Sequence, residues 1–185
     1  MSTADFSRFF ALLALVCFAA TAGVLILALA AWRRPGTTSA ALFDDVRRLG
    51  LWIAWLVALV TTAGSLHFSE VAHFTPCKLC WYQRIAIYPL VIVLLIAALR
   101  RDRRVAWYVA PVAIVGACLA AYHTQLQAFP SQRSSFCTTT EPCTVRYVWE
   151  FGFVSLPLMS LSAFAFIITM TILVGRHASA GTEEP

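Results

Sequence analysis

The sequence contains few charged residues. Asp, Glu, Lys and Arg together make up 12% of its 185 residues, whereas hydrophobic residues make up 60%. An ordinary soluble domain is about half apolar and about one quarter charged. The scarcity of charge therefore excludes a soluble globular domain, and we interpret the chain as an integral membrane protein.

The sequence also lacks the signatures of several enzyme classes. It has no internal repeat, no Gly-rich phosphate loop, no His-Glu-x-x-His zinc helix and no nucleophile elbow. Haem-ligand pairs, flavin loops and iron–sulfur spacings are missing too. The net charge of +5 comes from short basic clusters between apolar runs. Such clusters indicate membrane topology and no nucleic-acid partner.

Long uncharged runs predict an all-α fold with five membrane-spanning helices. A helix of about 20 apolar residues crosses a hydrocarbon layer about 30 Å thick. The third apolar run is short, so its helix must begin near Cys80 to reach that length. The predicted spans are residues 9–32, 49–68, 80–99, 105–123 and 151–175.

Two segments allow alternative interpretations. Residues 33–48 have apolar residues at helical spacing with charges between them, which predicts either a short helix on the membrane surface or a lead-in to the second span. The first span is interpreted as a membrane helix rather than a cleaved signal peptide. Its apolar run is too long for a signal peptide, and Asp5 and Arg8 make a poor basic segment before it.

The basic cluster at residues 100–104 orients the helices. By the positive-inside rule this cluster, the densest in the chain, is cytoplasmic. The N-terminus is then outside, the C-terminus is inside, and residues 69–84 and 124–150 form outer loops. Four cysteines lie in these loops: Cys77, Cys80, Cys137 and Cys143. Cys17 and Cys118 fall inside spans, where a cysteine is usually a small buried hydrophobe.

Cys77 and Cys80 form a Cys-x-x-Cys motif at the start of the third span. Two sulfurs this close can be bridged or free with little backbone movement, which is typical of a redox pair. Arg84 lies one turn beyond Cys80 on the same helix face. This cation and the positive end of the helix are both expected to favour a thiolate at Cys80.

Cys137 and Cys143 form a second pair in a polar segment rich in Thr. A disulfide that closes so short a loop adds little stability, and a bundle held by the bilayer needs it little. We therefore interpret both pairs as exchanging, with purely structural disulfides as the alternative. No metal is expected, because four-cysteine zinc sites favour reducing compartments.

Electrons released by such a pair must pass to an acceptor. The third helix offers Cys80, Arg84 and Tyr88 on one face near the membrane surface. A lipid-soluble quinone can bring its ring to this depth. The helix face therefore leads to the hypothesis of a quinone-reducing enzyme.

The combination of motifs resembles the disulfide-bond formation protein B (DsbB) family. It consists of Cys77-x-x-Cys80-x-x-x-Arg84 at the head of a span, a cysteine pair in the next outer loop, and Tyr122-His123 closing the span between them. The short second loop is most similar to the compact Gram-positive-type members. The resemblance implies a thiol:quinone oxidoreductase of the bacterial inner membrane. It also implies ubiquinone or menaquinone as cofactor and a DsbA-like, thioredoxin-fold oxidase as partner.

The resemblance implies a role for each cysteine. Cys80 faces the quinone, and Cys77 is its disulfide partner. Cys137 is the cysteine attacked by the soluble oxidase. Cys143 passes the electrons on to Cys77.

Arg84, His123 and Tyr88 are the expected quinone-binding residues. Arg84 and His123 follow from the resemblance, which covers about residues 49–175, and Tyr88 follows from its helix face. The chain departs from the family in its extra span at residues 9–32 and in its short second outer loop. These departures concern partner docking and the order of the relay.

We therefore divide the chain into three parts: residues 1–48 form an added span and linker, residues 49–175 a four-helix catalytic bundle, and residues 176–185 a flexible tail. One alternative is an enzyme of the vitamin K epoxide reductase type, in which the Cys-x-x-Cys follows the loop pair instead of preceding it. The other is a non-enzymatic membrane protein with disulfide-pinned outer loops, whose function would survive Cys80→Ser.

Overall fold

The computed structural model describes residues 3–34, 36, 38–132, 137 and 142–180, with side chains up to Gly175. Over these residues the fold consists of α-helices and short connections. Five helices are long and apolar enough to cross a membrane, which confirms the predicted all-α, five-span architecture. They are α1 (Thr3–Arg33), α2 (Thr38–Leu66), α3 (Lys78–Arg100), α4 (Val105–Ala128) and α5 (Leu156–Ala180).

The two helix ends that border the second outer loop differ from the predicted ones. α4 continues past His123 to Ala128, so the histidine lies inside the helix rather than at its end. α5 begins only at Leu156, because Phe151 and Gly152 have positive φ angles and form a turn. The first change removes residues from the start of the second outer loop and the second adds residues at its end, so that the loop runs over residues 129–155.

The predicted linker, residues 33–48, is not a separate surface helix. From Thr38 onward its residues are the first turns of α2, as in the lead-in alternative. The division of the chain at residue 48 stays a prediction. The predicted tail begins inside α5, which ends at Ala180, and residues 181–185 lie outside the described part of the chain.

The helices α2, α3, α4 and α5 share one buried hydrophobic core. Small residues bring these helices together. Gly116 of α4 lies against the ring of Phe164 of α5. A Cβ added at Gly50 of α2 would lie only 3.1 Å from the Val174 side chain of α5. Close approach through small residues is typical of membrane helices, because lipid gives them little hydrophobic reason to associate. α1 packs outside this core, on α2 and α5.

The two ends of the bundle differ in chemistry. At one end, in the turn between α3 and α4, Asp102 accepts hydrogen bonds from the Tyr108 hydroxyl (2.7 Å) and the Arg104 backbone N–H (2.8 Å). These two hydrogen bonds hold the pKa of Asp102 below its usual range, and the bond from Tyr108 has the larger effect. The opposite end holds the start of α3 and the end of α4. The candidate site residues lie there.

Candidate redox site

The junction between α2 and α3 positions the first cysteine pair. α2 gives way to a π-helical turn, His67–Val71, and His73 then takes a left-handed conformation with φ 55°. π-helical turns are frequent at functional sites. The chain then reaches Cys77, whose Sγ accepts a hydrogen bond from the Cys80 backbone N–H at 3.4 Å and so caps α3.

The thiolate of this pair belongs on Cys77. Both cysteines are free thiols, and their Sγ atoms lie 3.1 Å apart. The hydrogen bond from Cys80 lowers the pKa of Cys77 to about 4, burial opposes this effect, and His123 adds to it. The expected thiolate at Cys80 is thus corrected. α3 begins at Lys78, so Cys77 caps the positive end of the helix, whereas Cys80 lies inside it.

The second cysteine pair lies beside the first. Cys137 and Cys143 are joined by a disulfide, and most of the segment between them lies outside the described residues. Cys143 is 2% exposed and shares a hydrophobic cluster with Cys77 and Leu79, against which Cys80 and Cys137 pack. The structure therefore brings together the four cysteines that the sequence assigned to the outer loops.

The segment after Cys143 is tied to the end of α4. Arg146 Nε donates to the Gln127 carbonyl at 2.8 Å, and Gln127 Nε2 donates to the Val145 carbonyl at 2.9 Å. The Arg146 guanidinium also lies 3.9 Å from the Trp149 ring centroid, within cation–π range. These contacts hold Cys143 against the helices that carry the first pair.

His123 lies between the two cysteine pairs. It is 2% exposed, and its Nε2 is 3.1 Å from the Cys143 carbonyl oxygen and 3.7 Å from Cys77 Sγ. A carbonyl oxygen only accepts hydrogen bonds, so Nε2 carries the hydrogen. Gln83 Nε2 lies 3.1 Å from Nδ1, and because an amide nitrogen only donates, Nδ1 accepts this hydrogen bond. This arrangement directs an N–H group toward the Cys77 sulfur.

Arg84 is a buried cation held by the end of α2. It is 9% exposed, its Nε donates to Ser65 Oγ at 3.0 Å, and its second terminal nitrogen donates to the Ser65 carbonyl at 2.8 Å. The Tyr88 hydroxyl donates to the same Ser65 Oγ at 3.2 Å. No carboxylate pairs with Arg84 among the described residues. The guanidinium therefore keeps a positive charge that a bound group can neutralise.

A cavity of about 350 Å³ opens beside Cys80. Apolar side chains of α1, α2, α3 and α5 form most of its wall, and Gln83, Arg84 and His123 supply polar groups. The volume lies within the range of about 300–1,000 Å³ that small-molecule sites occupy. Within the described part of the chain Tyr88 does not line the cavity. Its hydroxyl supports Ser65 instead.

A second cavity of about 190 Å³ lies between the two cysteine pairs. Cys77 and Cys143 line this cavity and not the larger one, whereas Cys80 and His123 line both. Among the described cysteines of the two pairs, Cys80 is thus the one that faces the large apolar space. Cys77 faces the second pair.

Gln83 and Ser65 are site residues that sequence reasoning missed. Gln83 could have been predicted from the sequence. It lies three residues from Cys80 on an apolar helix, so it shares the helix face of Cys80, and a buried amide side chain needs a hydrogen-bond partner. Ser65 had a weaker signal, since it is one of several small polar residues near the end of its span. Its contact with Arg84 depends on how α2 and α3 pack.

The matched region of the chain decides its family. Residues 47–174 match the family model described as disulfide bond formation protein DsbB. The chain belongs to the DsbB family. Against disulfide bond formation protein C of Bacillus subtilis it is 44% identical over 130 residues, which cover 70% of this chain and 94% of that protein. No solved structure gives a significant match.

Other members of the DsbB family are similar to a comparable extent. The chain is 42% identical over 136 residues to probable disulfide formation protein C 1 of Bacillus cereus, covering 72% of this chain and 97% of that protein. It is 42% identical over 123 residues to the probable disulfide formation protein of Coxiella burnetii, covering 65% of this chain and 84% of that protein. These matches confirm the resemblance to compact Gram-positive-type DsbB members and make the chain a membrane protein of disulfide bond formation.

Proposed function

We propose that this DsbB-family protein is a thiol:quinone oxidoreductase that reoxidises a DsbA-like, thioredoxin-fold dithiol oxidase. The observation that carries the proposal is the position of Cys80, which lines both the large apolar cavity and the small cavity shared by Cys77 and Cys143. A sulfur between the two cavities can exchange with the other cysteines on one side and face an acceptor on the other.

The outer pair, Cys137 and Cys143, receives electrons from the partner. A partner thiolate attacks Cys137, a mixed disulfide forms, and Cys143 leaves as a thiolate. The partner's second thiol then attacks the mixed disulfide and releases Cys137. The partner dithiol has become a disulfide, and the outer pair has taken up its two electrons.

The inner pair, Cys77 and Cys80, then receives these electrons. Cys143 attacks Cys77 of the inner disulfide and Cys80 leaves. Cys137 next attacks Cys143, so that the outer disulfide re-forms and Cys77 leaves. The low pKa of Cys77 supports this last step, because a thiolate of low pKa is a good leaving group. The hydrogen on His123 Nε2 faces the sulfur on which this charge forms.

The large cavity fits a quinone. Its wall is mostly apolar, and Arg84 lines it as a cation without a carboxylate partner among the described residues. A bound quinone supplies a lipid-soluble acceptor for the two electrons and two protons that Cys77 and Cys80 release when they form a disulfide. Arg84 would bind an oxygen on which negative charge develops, and Cys80 would present its sulfur to the cavity. Ubiquinone and menaquinone both meet these requirements.

The sidedness of the reaction is part of the proposal. The cysteines lie at the end of the bundle opposite the turn between α3 and α4, which contains the cluster at residues 100–104. If this basic end is cytoplasmic, the cysteines face the extracytoplasmic side. The N-terminus of α1 lies at the cysteine end, since Phe6 stacks on His67, and it would also be outside.

Turnover of purified protein tests the proposed function. A reduced thioredoxin-fold oxidase serves as donor, and ubiquinone and menaquinone are each supplied as acceptor. We expect Cys77→Ser, Cys80→Ser and Cys143→Ser each to abolish turnover, whereas the control Cys118→Ser keeps it. An unchanged rate in any of the first three variants refutes the relay. Absence of turnover by the wild-type protein with both quinones rejects the enzyme in favour of disulfide-pinned outer loops.

A further inference from the structure

The helix α1 lies outside residues 47–174, which match the DsbB family, yet it forms part of the large cavity. Six of its residues line this space: Phe10, Leu13, Ala14, Val16, Cys17 and Ala20. They follow helical spacing along one face. Without α1, the corresponding side of the cavity between α2 and α5 would open directly to lipid.

α1 is docked onto the bundle by specific contacts at the cysteine end. The ring of Phe6 stacks on His67 with centroids 3.6 Å apart, and the ring of Phe10 lies against Gly64 so closely that a Cβ there would overlap it. Arg8 lies 3.6 Å from the Glu150 carboxylate, which follows the cysteine loop. These contacts hold α1 beside the π-helical turn that leads to Cys77.

Deeper in the bundle, small residues of α1 make the contact. Ala11 and Ala14 are 0% and 6% exposed, and the Cys17 thiol donates to the Ser162 carbonyl of α5 at 3.4 Å. Small residues allow this close approach in the absence of water. α1 therefore lies close against α5 where both helices line the cavity.

The cavity is elongated along the helices. On α2 its lining extends from Ser65 to Ile53, which corresponds to about 18 Å at 1.5 Å per residue. Gln83, Arg84 and His123 lie with Cys80 near the cysteine end, whereas the deeper lining is mostly apolar. This shape matches a molecule with a polar ring and a long hydrocarbon tail better than it matches a compact soluble ligand.

We propose that α1 is the tail-binding element of the acceptor site, so that Leu13 and Cys17 contact the prenyl chain of a quinone whose ring lies by Cys80 and Arg84. This inference rests on the proposed function. α1 would then favour acceptors with a prenyl tail over quinones that lack one. The added helix thus has a role in ligand binding and not only in membrane anchoring.

A matched pair of variants in the full-length protein tests this role. Leu13→Trp adds bulk inside the cavity, and the control Leu12→Trp adds the same bulk at a neighbouring position that is 53% exposed and does not line the cavity. We expect Leu13→Trp to raise the Kd of a prenylated quinone about tenfold, with unchanged Kd for the same quinone without its tail. Leu12→Trp should change neither. Equal Kd values for the prenylated quinone in the wild-type protein and both variants overturn the inference.

Photo-crosslinking of the wild-type protein gives a second test that does not depend on the folding of a variant. A quinone with a photoreactive group in its tail should label the tryptic fragment between Arg8 and Arg33, and excess unlabelled prenyl quinone should remove this label. Competable label confined to α2–α5 overturns the role of α1. If the wild-type protein shows no competable label and binds no quinone, the proposed function itself fails.

Discussion

At the scale of single residues, the chemistry depends on which sulfur of the inner pair carries the negative charge. The start of α3 at Lys78, two residues before the predicted start near Cys80, decides this. Cys77 caps the helix, and its Sγ accepts a hydrogen bond from the Cys80 backbone N–H and lies 3.1 Å from Cys80 Sγ, whereas Cys80 already lies inside the helix. A Cys-x-x-Cys motif alone does not show where the helix begins, so the sequence favoured the wrong sulfur.

The pKa of Cys77 leads to a direct prediction. In the fully reduced protein, the ultraviolet absorbance of one thiolate should be lost as the pH falls through about 4, and this signal should be missing from Cys77→Ser. Cys80→Ala should move the transition to higher pH, because the Cys80 hydrogen bond is the largest cause of the low value. A transition that stays near the ordinary thiol value of 9.0 in the wild-type protein contradicts this assignment.

The same pKa shift determines how stability depends on pH. The unfolded chain keeps the Cys77 proton up to about pH 9, whereas the folded reduced protein releases it above about pH 4. The contribution of Cys77 to stability is therefore fully present above pH 9 and is lost progressively as the pH falls toward 4. Thermal unfolding of the reduced protein should show this trend relative to Cys77→Ser.

Arg84 is predicted to bind the acceptor rather than to maintain the disulfides. Arg84→Ala should raise the KM for quinone about 10- to 100-fold, since a hydrogen bond to a charged group contributes about 1.5–3 kcal/mol. Arg84→Lys should recover only part of this loss, because an ammonium cannot keep both bonds to Ser65 with the same geometry. Thiol mapping should find the Cys137–Cys143 disulfide intact in both variants. Loss of this disulfide in either variant would show that Arg84 is a structural residue.

At the scale of helices and loops, the spans were predictable and their ends were not. A long uncharged run can satisfy its backbone in a membrane only as a helix, which explains why five spans could be predicted. Helix ends depend on local turns instead. The hydrophobicity of the sequence does not indicate the positive φ angles at Phe151 and Gly152 or the helix cap at Cys77.

The site was predictable in part for a similar reason. Both cysteine pairs were assigned to one side of the membrane, which made a meeting between them plausible from topology alone. The contacts of His123 with Gln83 and Cys143 depend on how α3, α4 and the outer loop pack together. No short sequence motif predicts packing of this kind.

The loop segment tied by Arg146 is predicted to control exchange between the pairs. Arg146→Ala removes its bonds to the Gln127 carbonyl and should leave Cys143 less well positioned against Cys77. When oxidised protein is mixed with reduced partner without quinone, the first phase of partner oxidation should keep its rate, and the second should slow about tenfold. Only the second phase requires exchange between the pairs. The control Arg103→Ala, at the opposite end, should change neither phase.

If Arg146→Ala instead slows both phases equally, the segment serves partner docking rather than exchange. If it slows neither, the hydrogen bond from Gln127 to the Val145 carbonyl suffices to hold the loop. Either result rejects a specific role of Arg146 in the relay.

At the scale of the whole molecule, the bundle separates three environments. The outer disulfide lies on the loop, the inner pair lies between two cavities, and the large cavity extends along apolar helices. In the proposed function, this order gives electrons one direction of travel, from a soluble partner to a lipid-dissolved acceptor. α1 completes the wall of the last compartment, which connects the added helix to the proposed chemistry.

The central claim is that the two pairs exchange through Cys77 and Cys143, and the most direct test is a comparison of two double variants under a mild oxidant. Cys80→Ser with Cys137→Ser leaves Cys77 opposite Cys143, whereas Cys80→Ser with Cys143→Ser leaves Cys77 opposite Cys137. Peptide mapping after non-reducing proteolysis should find a rapidly formed Cys77–Cys143 disulfide in the first variant and little Cys77–Cys137 disulfide in the second. Equal formation of both disulfides, or a preference for Cys77–Cys137, would contradict the relay.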